Sequence, residues 1–256
     1  MQNQEDGDEL MKRLWVISDL QVPYHDQRAV DAITAALEVL REPGDQTLTI
    51  GDEQDFQTIS RWSAQTPTEY EKSIGRDRDM TVSVLRQLGV TDMCRSNHTD
   101  RLYHSVMKRL PGLLGLPELE LVNFLRLPEL GVTFHEKAWQ FAPGWLAMHG
   151  DEAGLSQIAG QTAAGLTKKT GTSVICGHTH RLGMQPFTYG VNGRITRTLY
   201  GVECGNLMRM DRALYAKTHN WQQGFAVLHI EDGKVHPELV PIVNRSFVVM
   251  GERFTF

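Results

Sequence analysis

The chain is short of the features that mark several protein classes. It has only three cysteines in 256 residues, Cys94, Cys176 and Cys204. Thiols so few and so scattered build no disulfide framework and no zinc ribbon, and they read as small buried hydrophobes. No apolar run approaches the length needed to span a bilayer, which argues against a membrane partner. Positive charge is not in excess either: 26 Lys and Arg stand against 31 Asp and Glu, for a net charge of −5. That balance excludes nonspecific coating of nucleic acid and leaves only local basic patches open. Met1 to Leu10 is acidic and polar where a secretory signal would be basic and then apolar, so a cytoplasmic protein is expected. No repeat, low-complexity tract or linker interrupts the chain, and the length suits one domain, 1–256.

What the chain does have is a series of buried apolar runs that each end in polar residues. Leu14-Trp15-Val16-Ile17 runs into Ser18-Asp19, and Thr47-Leu48-Thr49-Ile50 into Gly51-Asp52. Trp145-Leu146-Ala147-Met148 runs into His149, and Ser173-Val174-Ile175-Cys176 into Gly177-His178. Such runs predict buried strands that deliver their last residues to one place. Between the first two, Ala29 to Leu40 has helical apolar spacing and stops at Glu42-Pro43-Gly44-Asp45. A second helix is predicted from about Arg76 to Leu88, stopped by Gly89, with a weaker strand at Val90 to Cys94.

Arg101 to Leu130 is rich in leucine and broken by Pro111, Pro117 and Pro128, so it predicts short helices forming a cap or flank, or a dimer contact; the oligomeric state stays open. After His180 the pattern turns to strands at Arg194 to Tyr200, Gly224 to Glu231 and Lys234 to Pro241, the last two joined by the hairpin signal Asp232-Gly233. The tail Phe247 to Phe256 is expected to pack an edge. Strand and helix alternating early and strands late suggest an α/β sandwich of two sheets flanked by helices.

Five polar clusters follow one another: Ser18-Asp19-Leu20-Gln21, Gly51-Asp52-Glu53-Gln54-Asp55, Ser96-Asn97-His98-Thr99-Asp100-Arg101, Met148-His149-Gly150-Asp151 and Gly177-His178-Thr179-His180. Together they supply the oxygen and imidazole donors of a site for two metal ions. A carboxylate shared by two divalent cations offsets their repulsion, and Asp52, after a glycine that permits close approach, suits that position. Asp19 would hold one metal, and Asn97 and His149 would complete the other. His178 and His180, two apart on a segment read as extended, would both aim at the site with Thr179 turned away. Mixed oxygen and nitrogen donors suit Mn²⁺, Fe or Zn²⁺ and disfavour Cu(I) or iron–sulfur clusters.

From Leu14 to Arg181 the order and spacing of these motifs resemble the calcineurin-like metallophosphoesterases, particularly the compact versions encoded by bacteriophages, and Gly177-His178-Thr179-His180 is the most specific element. The resemblance implies a four-layer αββα sandwich of two mixed β-sheets flanked by helices. It implies two divalent metal ions, with Mn²⁺ favoured and Fe, Zn²⁺ or Ni²⁺ as alternatives. The first would take Asp19, Asp52 and His180; the second Asp52, Asn97, His149 and His178; and His98 would act as acid or electrostatic partner of the leaving group. Two departures stand out. Gln21 replaces the histidine of the usual Asp-x-His motif, so the first metal would receive a weaker amide donor, and His25 lies beyond Pro23, where strand alternation no longer matches. Ser96 replaces the usual glycine before Asn97, and Thr99 an acidic residue, leaving Asp100 and Arg101 to orient His98 or meet a phosphate.

Several residues admit two readings. Asp55 and Asp151 fit carboxylates that orient a ligand histidine, or solvated groups near helix ends. Arg181 and Arg101 fit a fork for substrate phosphate, or solvated arginines. Gly205-Asn206 and Asn220-Trp221 fit the site rim, or turn and core roles. His104, His135, His219, His229 and His236 form no ligand-spaced pair and are set aside. The expected activity is hydrolysis of a phosphate ester by a water shared between the cations. Asn97, His98 and Arg101 would contact substrate, and His98 and Asp100 would act in proton transfer. Phosphodiesters such as nucleotides or nucleic-acid ends are favoured. A phosphomonoesterase or protein phosphatase, or a binding scaffold weakened at Gln21, are the alternatives.

Overall fold

The structure, a computed structural model, describes residues 12–212 and 219–256; the acidic opening Met1 to Leu10 lies outside them. Strands β1 (Lys12–Ile17), β2 (Gln46–Thr49), β3 (Asp92–Cys94) and β4 (Thr133–His135) pair in parallel in that order. On the other side of β1, β10 (Gly224–Glu231) and then β11 (Lys234–Pro241) add antiparallel strands, giving six in all. The second sheet has five strands in the order β5 (Trp139–Ala142), β6 (Trp145–Ala147), β7 (Ser173–Cys176), β9 (Arg194–Cys204) and β8 (Leu182–Val191). There β6, β7 and β9 are parallel while β5 and β8 run against their neighbours.

The layers follow from the period of two along each strand. In β1, Trp15 and Ile17 face a core shared with the helices α1 (Gln27–Leu40) and α2 (Ile74–Gln87), whereas Leu14 and Val16 face the other sheet. In β7, Ile175 joins that space between the sheets, while Val174 and Cys176 pack on α6 (Gln161–Thr170) through Ala163 and Leu166. The order is therefore helices, sheet, sheet, helix: two mixed sheets flanked by helices, the sandwich that the resemblance to calcineurin-like metallophosphoesterases implies. The apolar positions of α1 recur at helical spacing, with Ala29, Val30, Ile33, Ala36 and Leu37 buried. It stops at Leu40, with Arg41 already in extended conformation, two residues ahead of Pro43.

Within this frame the parallel strands point their carboxyl ends to one edge of each sheet, the place where open α/β sheets carry their sites. All three cysteines are free and buried. No helix among the described residues is long and apolar enough to cross a membrane. The region from Arg101 to Leu130 contains α3 (Asp100–Arg109), two 3-10 turns, α4 (Leu121–Phe124) and α5 (Leu127–Leu130). Its far end reaches the helical core through Leu125 and Leu127, while Leu110, Leu113, Leu114 and Leu116 stay exposed. The sequence does not reveal β8, because Gly183, Pro186 and Gly190 break its alternation. The tail forms a hairpin, β12 (Ser246–Val249) and β13 (Glu252–Thr255), whose Phe247, Val249 and Phe254 close the helix-side core.

Candidate metal centre

The five clusters converge where the two sheets meet. The tightest grouping is Asp52, His149 and His178, each offering a ligand atom within 4.8 Å of the others. Asp52 follows β2, and Gly51 before it sits at φ 107°, where a Cβ would lie 2.3 Å from His149 Nδ1 and 2.7 Å from Ser96 Cβ. Only glycine lets that loop approach the histidine. His149 is fully buried, and its Nδ1 lies 2.8 Å from the Ile50 carbonyl. That contact makes Nδ1 the protonated nitrogen and turns the Nε2 lone pair toward the cluster. Nε2 lies 3.3 Å from Asp52 Oδ1 and 3.1 Å from Asn97 Oδ1, so Asn97 joins the group through its amide oxygen. His178 approaches His149 edge to face at 4.9 Å between ring centres.

A second grouping lies beside the first. Asp19 Oδ1 is 3.0 Å from His180 Nε2. Asp19 Oδ2 accepts from the Ser18 hydroxyl and, at 2.9 Å, from the His178 amide. Gly177 is required here too, since a Cβ would lie 1.8 Å from Ser18 Oγ. Gln21 donates through Nε2 to Asp52 Oδ2 at 3.0 Å, so the amide that replaces the usual histidine faces the centre. His25 does not compensate: its Nε2 lies 2.8 Å from Gln27 Oε1.

The histidine pair reaches the site by a route different from the expected one. The segment is not extended; His178 and His180 both adopt left-handed backbone, at φ 64° and 57°, as do Asp19, Gln21 and Asp52 at 50°, 53° and 58°. Such conformations are costly for residues other than glycine and collect where a site demands a particular side-chain direction. They send His178 to Asp52 and His180 to Asp19. Thr179 does turn away, donating to the buried Glu203, which also accepts from the Thr162 and Ala163 amides at the start of α6.

The electrostatics suit cations. Burial disfavours a charged Asp52, yet His149 and His98 beside it hold the carboxyl well below its usual range. Burial likewise works against a charged Asp19, and His180 overrides it. In His149 burial opposes protonation, but the Asp52 charge raises its affinity for a proton. Burial and His149 together depress His178, leaving its lone pair available. Two buried carboxylates thus draw positive charge into a pocket of imidazole and amide donors. The residues fit a divalent cation, whose binding would displace protons from such a cluster. Beside Asp52, burial pushes Glu53 up to about 7, with one oxygen receiving the Gly51 amide at 3.1 Å.

His98 and its partners line the outer side. His98 Nε2 is 3.6 Å from Asp52 Oδ2, and its Nδ1 is 3.1 Å from Asp55 Oδ1. Arg101 lies 2.6 Å from His98 Nε2 and also holds Asp55. Asp100 is elsewhere: its carboxylate binds Arg95, which grips Asp151 with two contacts of 2.8 Å. The sequence offers Asp100 to orient His98; the structure places Asp55 against it instead. Ser96 has a local task, accepting the Asp52 amide at 3.0 Å. Arg181 is buried on the Thr179 carbonyl and Gln157, neither solvated nor facing the cluster. At the rim, Trp221 stands edge-on to His180 at 4.6 Å, and Asn206 donates to the His180 carbonyl at 3.0 Å.

No family model matches the chain. It is 35% identical over 253 residues to the gene 54 protein of Mycobacterium phage D29, covering 94% of this chain and 98% of that one. The gene 54 protein of Mycobacterium phage L5 matches to the same extent, 35% over 253 residues with the same coverage. Among solved structures the chain is similar to wild-type Vps29 from Entamoeba histolytica complexed with Zn²⁺, with TM-score 0.46, 16% identity and coverage of 94% and 97%. On identity sustained along nearly its whole length, the chain belongs to the family of the mycobacteriophage gene 54 proteins, and it carries the two-sheet α/β sandwich described above.

Proposed function

We propose that this protein is a phosphoesterase dependent on two divalent cations, Mn²⁺ by preference, acting on phosphodiesters of nucleotides or nucleic-acid ends in the host cytoplasm. The observation that carries the reading is the gathering of Asp52, His149 and His178 within 4.8 Å, with the Asn97 amide oxygen alongside. Asp52, Asn97, His149 and His178 would hold one cation, and Asp19, Asp52 and His180, with the Gln21 amide, the other. The pair of cations supplies Lewis acidity and a water of lowered pKa for attack on phosphorus.

The remaining work falls to side chains. His98 faces the shared edge of the site, where its Nε2 gives a proton to the departing alkoxide oxygen. Asp55 at Nδ1 stabilises the charged ring that this task needs, as a carboxylate behind a catalytic histidine does. Arg101 now shields Nε2; a phosphate oxygen offers its guanidinium a stronger partner and frees the imidazole to take up its proton. Asn97 contacts the phosphate through its amide nitrogen. Diesters are favoured because a histidine acid helps to expel a poorly acidic alcohol.

The test compares bis(p-nitrophenyl) phosphate with p-nitrophenyl phosphate, using chelator-stripped protein with Mn²⁺ restored and His98→Ala as control. Metal-dependent turnover of the diester, lost in the control, is expected. Preference for the monoester would make the protein a phosphomonoesterase or protein phosphatase. No turnover of either ester with any divalent metal would overturn the enzyme reading in favour of a scaffold weakened at Gln21.

A further inference from the structure

A groove leaves the metal centre along α3. One wall is a single helical face, with Arg101, His104, Ser105 and Lys108 recurring at three- and four-residue spacing. The opposite wall is the 3-10 turn at Arg61–Ser63 with the residues before it, and Asn97 of the site closes the inner end. The enclosed space is about 460 Å³, within the range of ligand pockets. Its lining holds five Arg and Lys side chains against one carboxylate, Asp100, in a chain whose net charge is −5. Arg95, Arg101 and Arg109 have carboxylate partners, whereas Arg61 and Lys108 have none among the described residues. Beside them Trp62 is 74% exposed, with the Arg61 guanidinium 4.5 Å from the ring centre.

An indole this exposed gains nothing from the core, and buried placement is where such a ring is usually stabilised. Unpaired cations interleaved with an open aromatic face are what a single nucleic-acid strand requires: charge for its backbone and a π surface for a base. From Arg101 to Lys108 the helix advances about 10 Å at 1.5 Å per residue. At the roughly 3.4 Å per nucleotide of a fully stacked strand, the shortest spacing, that exceeds one nucleotide, and a more extended single strand still reaches past its terminal residue. We infer that this groove binds the end of a single-stranded nucleic acid, with a base stacked on Trp62 and backbone phosphates on Arg61 and Lys108. The inference rests on the phosphodiesterase reading for its consequence, which is delivery of one phosphodiester to the metal centre. The groove itself is read from its own residues.

Two measurements separate these claims. Binding is read by fluorescence anisotropy of a labelled ten-residue oligothymidylate on chelator-stripped protein, with an oligouridylate arm to tell deoxyribose from ribose. Trp62→Ala is expected to weaken binding about tenfold, the scale of one lost stacked base. Lys108→Ala is expected to lower the slope of log affinity against log salt by about 0.7. Cleavage is then read with Mn²⁺ restored: Trp62→Ala should lower kcat/KM for the oligonucleotide about tenfold and leave bis(p-nitrophenyl) phosphate turnover unchanged. Binding without turnover of any ester would keep the groove and overturn the enzyme reading. Turnover of the small diester with no oligonucleotide binding, or equal loss of both activities in Trp62→Ala, would overturn the groove and leave the enzyme reading intact.

Discussion

On one side of Asp52 the donors are two imidazoles and an amide oxygen, gathered closely and fixed by a backbone carbonyl behind His149. On the other side stand Asp19 and His180, with Gln21 where the family resemblance calls for a second imidazole. The first half depends on Gly51, where a side chain would collide with His149 and Ser96. The second is held by hydrogen bonds to Asp19 and by an amide that spends its N–H on Asp52. An imidazole lone pair binds transition metals better than a neutral amide, so two cations sharing Asp52 would be held with different grip. A site built this way should fill in two steps.

The comparison breaks most completely at the shared residue. Asp52→Asn is expected to abolish measurable turnover and to lower bound metal at both positions. The loss should exceed the roughly 10- to 100-fold that partners of ligands cost, read by metal analysis beside diester hydrolysis. If one equivalent survived at full affinity, Asp52 would belong to one half only. Next in size, His98→Ala should lower kcat about 10²- to 10⁴-fold with both metals retained. Loss of metal in that variant would move His98 from proton transfer into the ligand set.

A third expectation concerns charge beside the richer half. Glu53 has its carboxyl pushed up to about 7 by burial, above the ordinary 4.5. Because the fold binds that proton more tightly than the unfolded chain does, its contribution is fully present below about pH 4.5 and is lost as pH rises to about 7. At about 1.4 kcal/mol per unit, chelator-stripped protein should lose up to about 3 kcal/mol across this window, and Glu53→Gln should be flatter in urea titrations at each pH. Equal slopes would remove Glu53 from the account.

Smaller effects sharpen the outer side. Asp55→Asn should lower kcat about 10- to 100-fold at unchanged metal content, while Asp100→Asn, whose carboxylate serves Arg95, should change it by only about twofold to threefold. The reverse ranking would restore Asp100 as the partner of His98. Last, Gln21→His should tighten the weaker equivalent by roughly threefold to tenfold, about 1 kcal/mol, seen in a two-step metal titration. Unchanged binding would mean that Gln21 serves Asp52 alone.

How far the sequence led depended on whether a signal was local. The runs ending at Ser18, Gly51, His149 and Gly177 were legible because strands buried on both faces carry mostly apolar or small uncharged residues and turn to charged and imidazole groups only where they reach the site. Helices α1 and α2 were legible to within about two residues at their starts, the usual uncertainty of a boundary. What escaped was relational. Asp100, two residues after His98, was the carboxylate assigned to it by sequence; only the path of the loop after β2 brings Asp55 to its Nδ1. The pairing of Asn206 and Trp221 with His180 depends on β9 and the following loop returning to the site. The directions of His178 and His180 were foreseen for the wrong reason, since left-handed backbone and not strand alternation aims them.

Gly177 carries a consequence of another kind. Its missing side chain leaves room for Ser18 and for the Asp19 carboxylate, and it joins an edge of one sheet to an edge of the other. Donors on both edges would share the same cations, so bound metal would act as a clasp between slabs whose core contains Val16, Leu48, Ile175 and Val202. Metal affinity would then be a gauge of that gap, and trimming Val202, a residue of the core between the sheets and not a donor, would loosen the ions and the fold together.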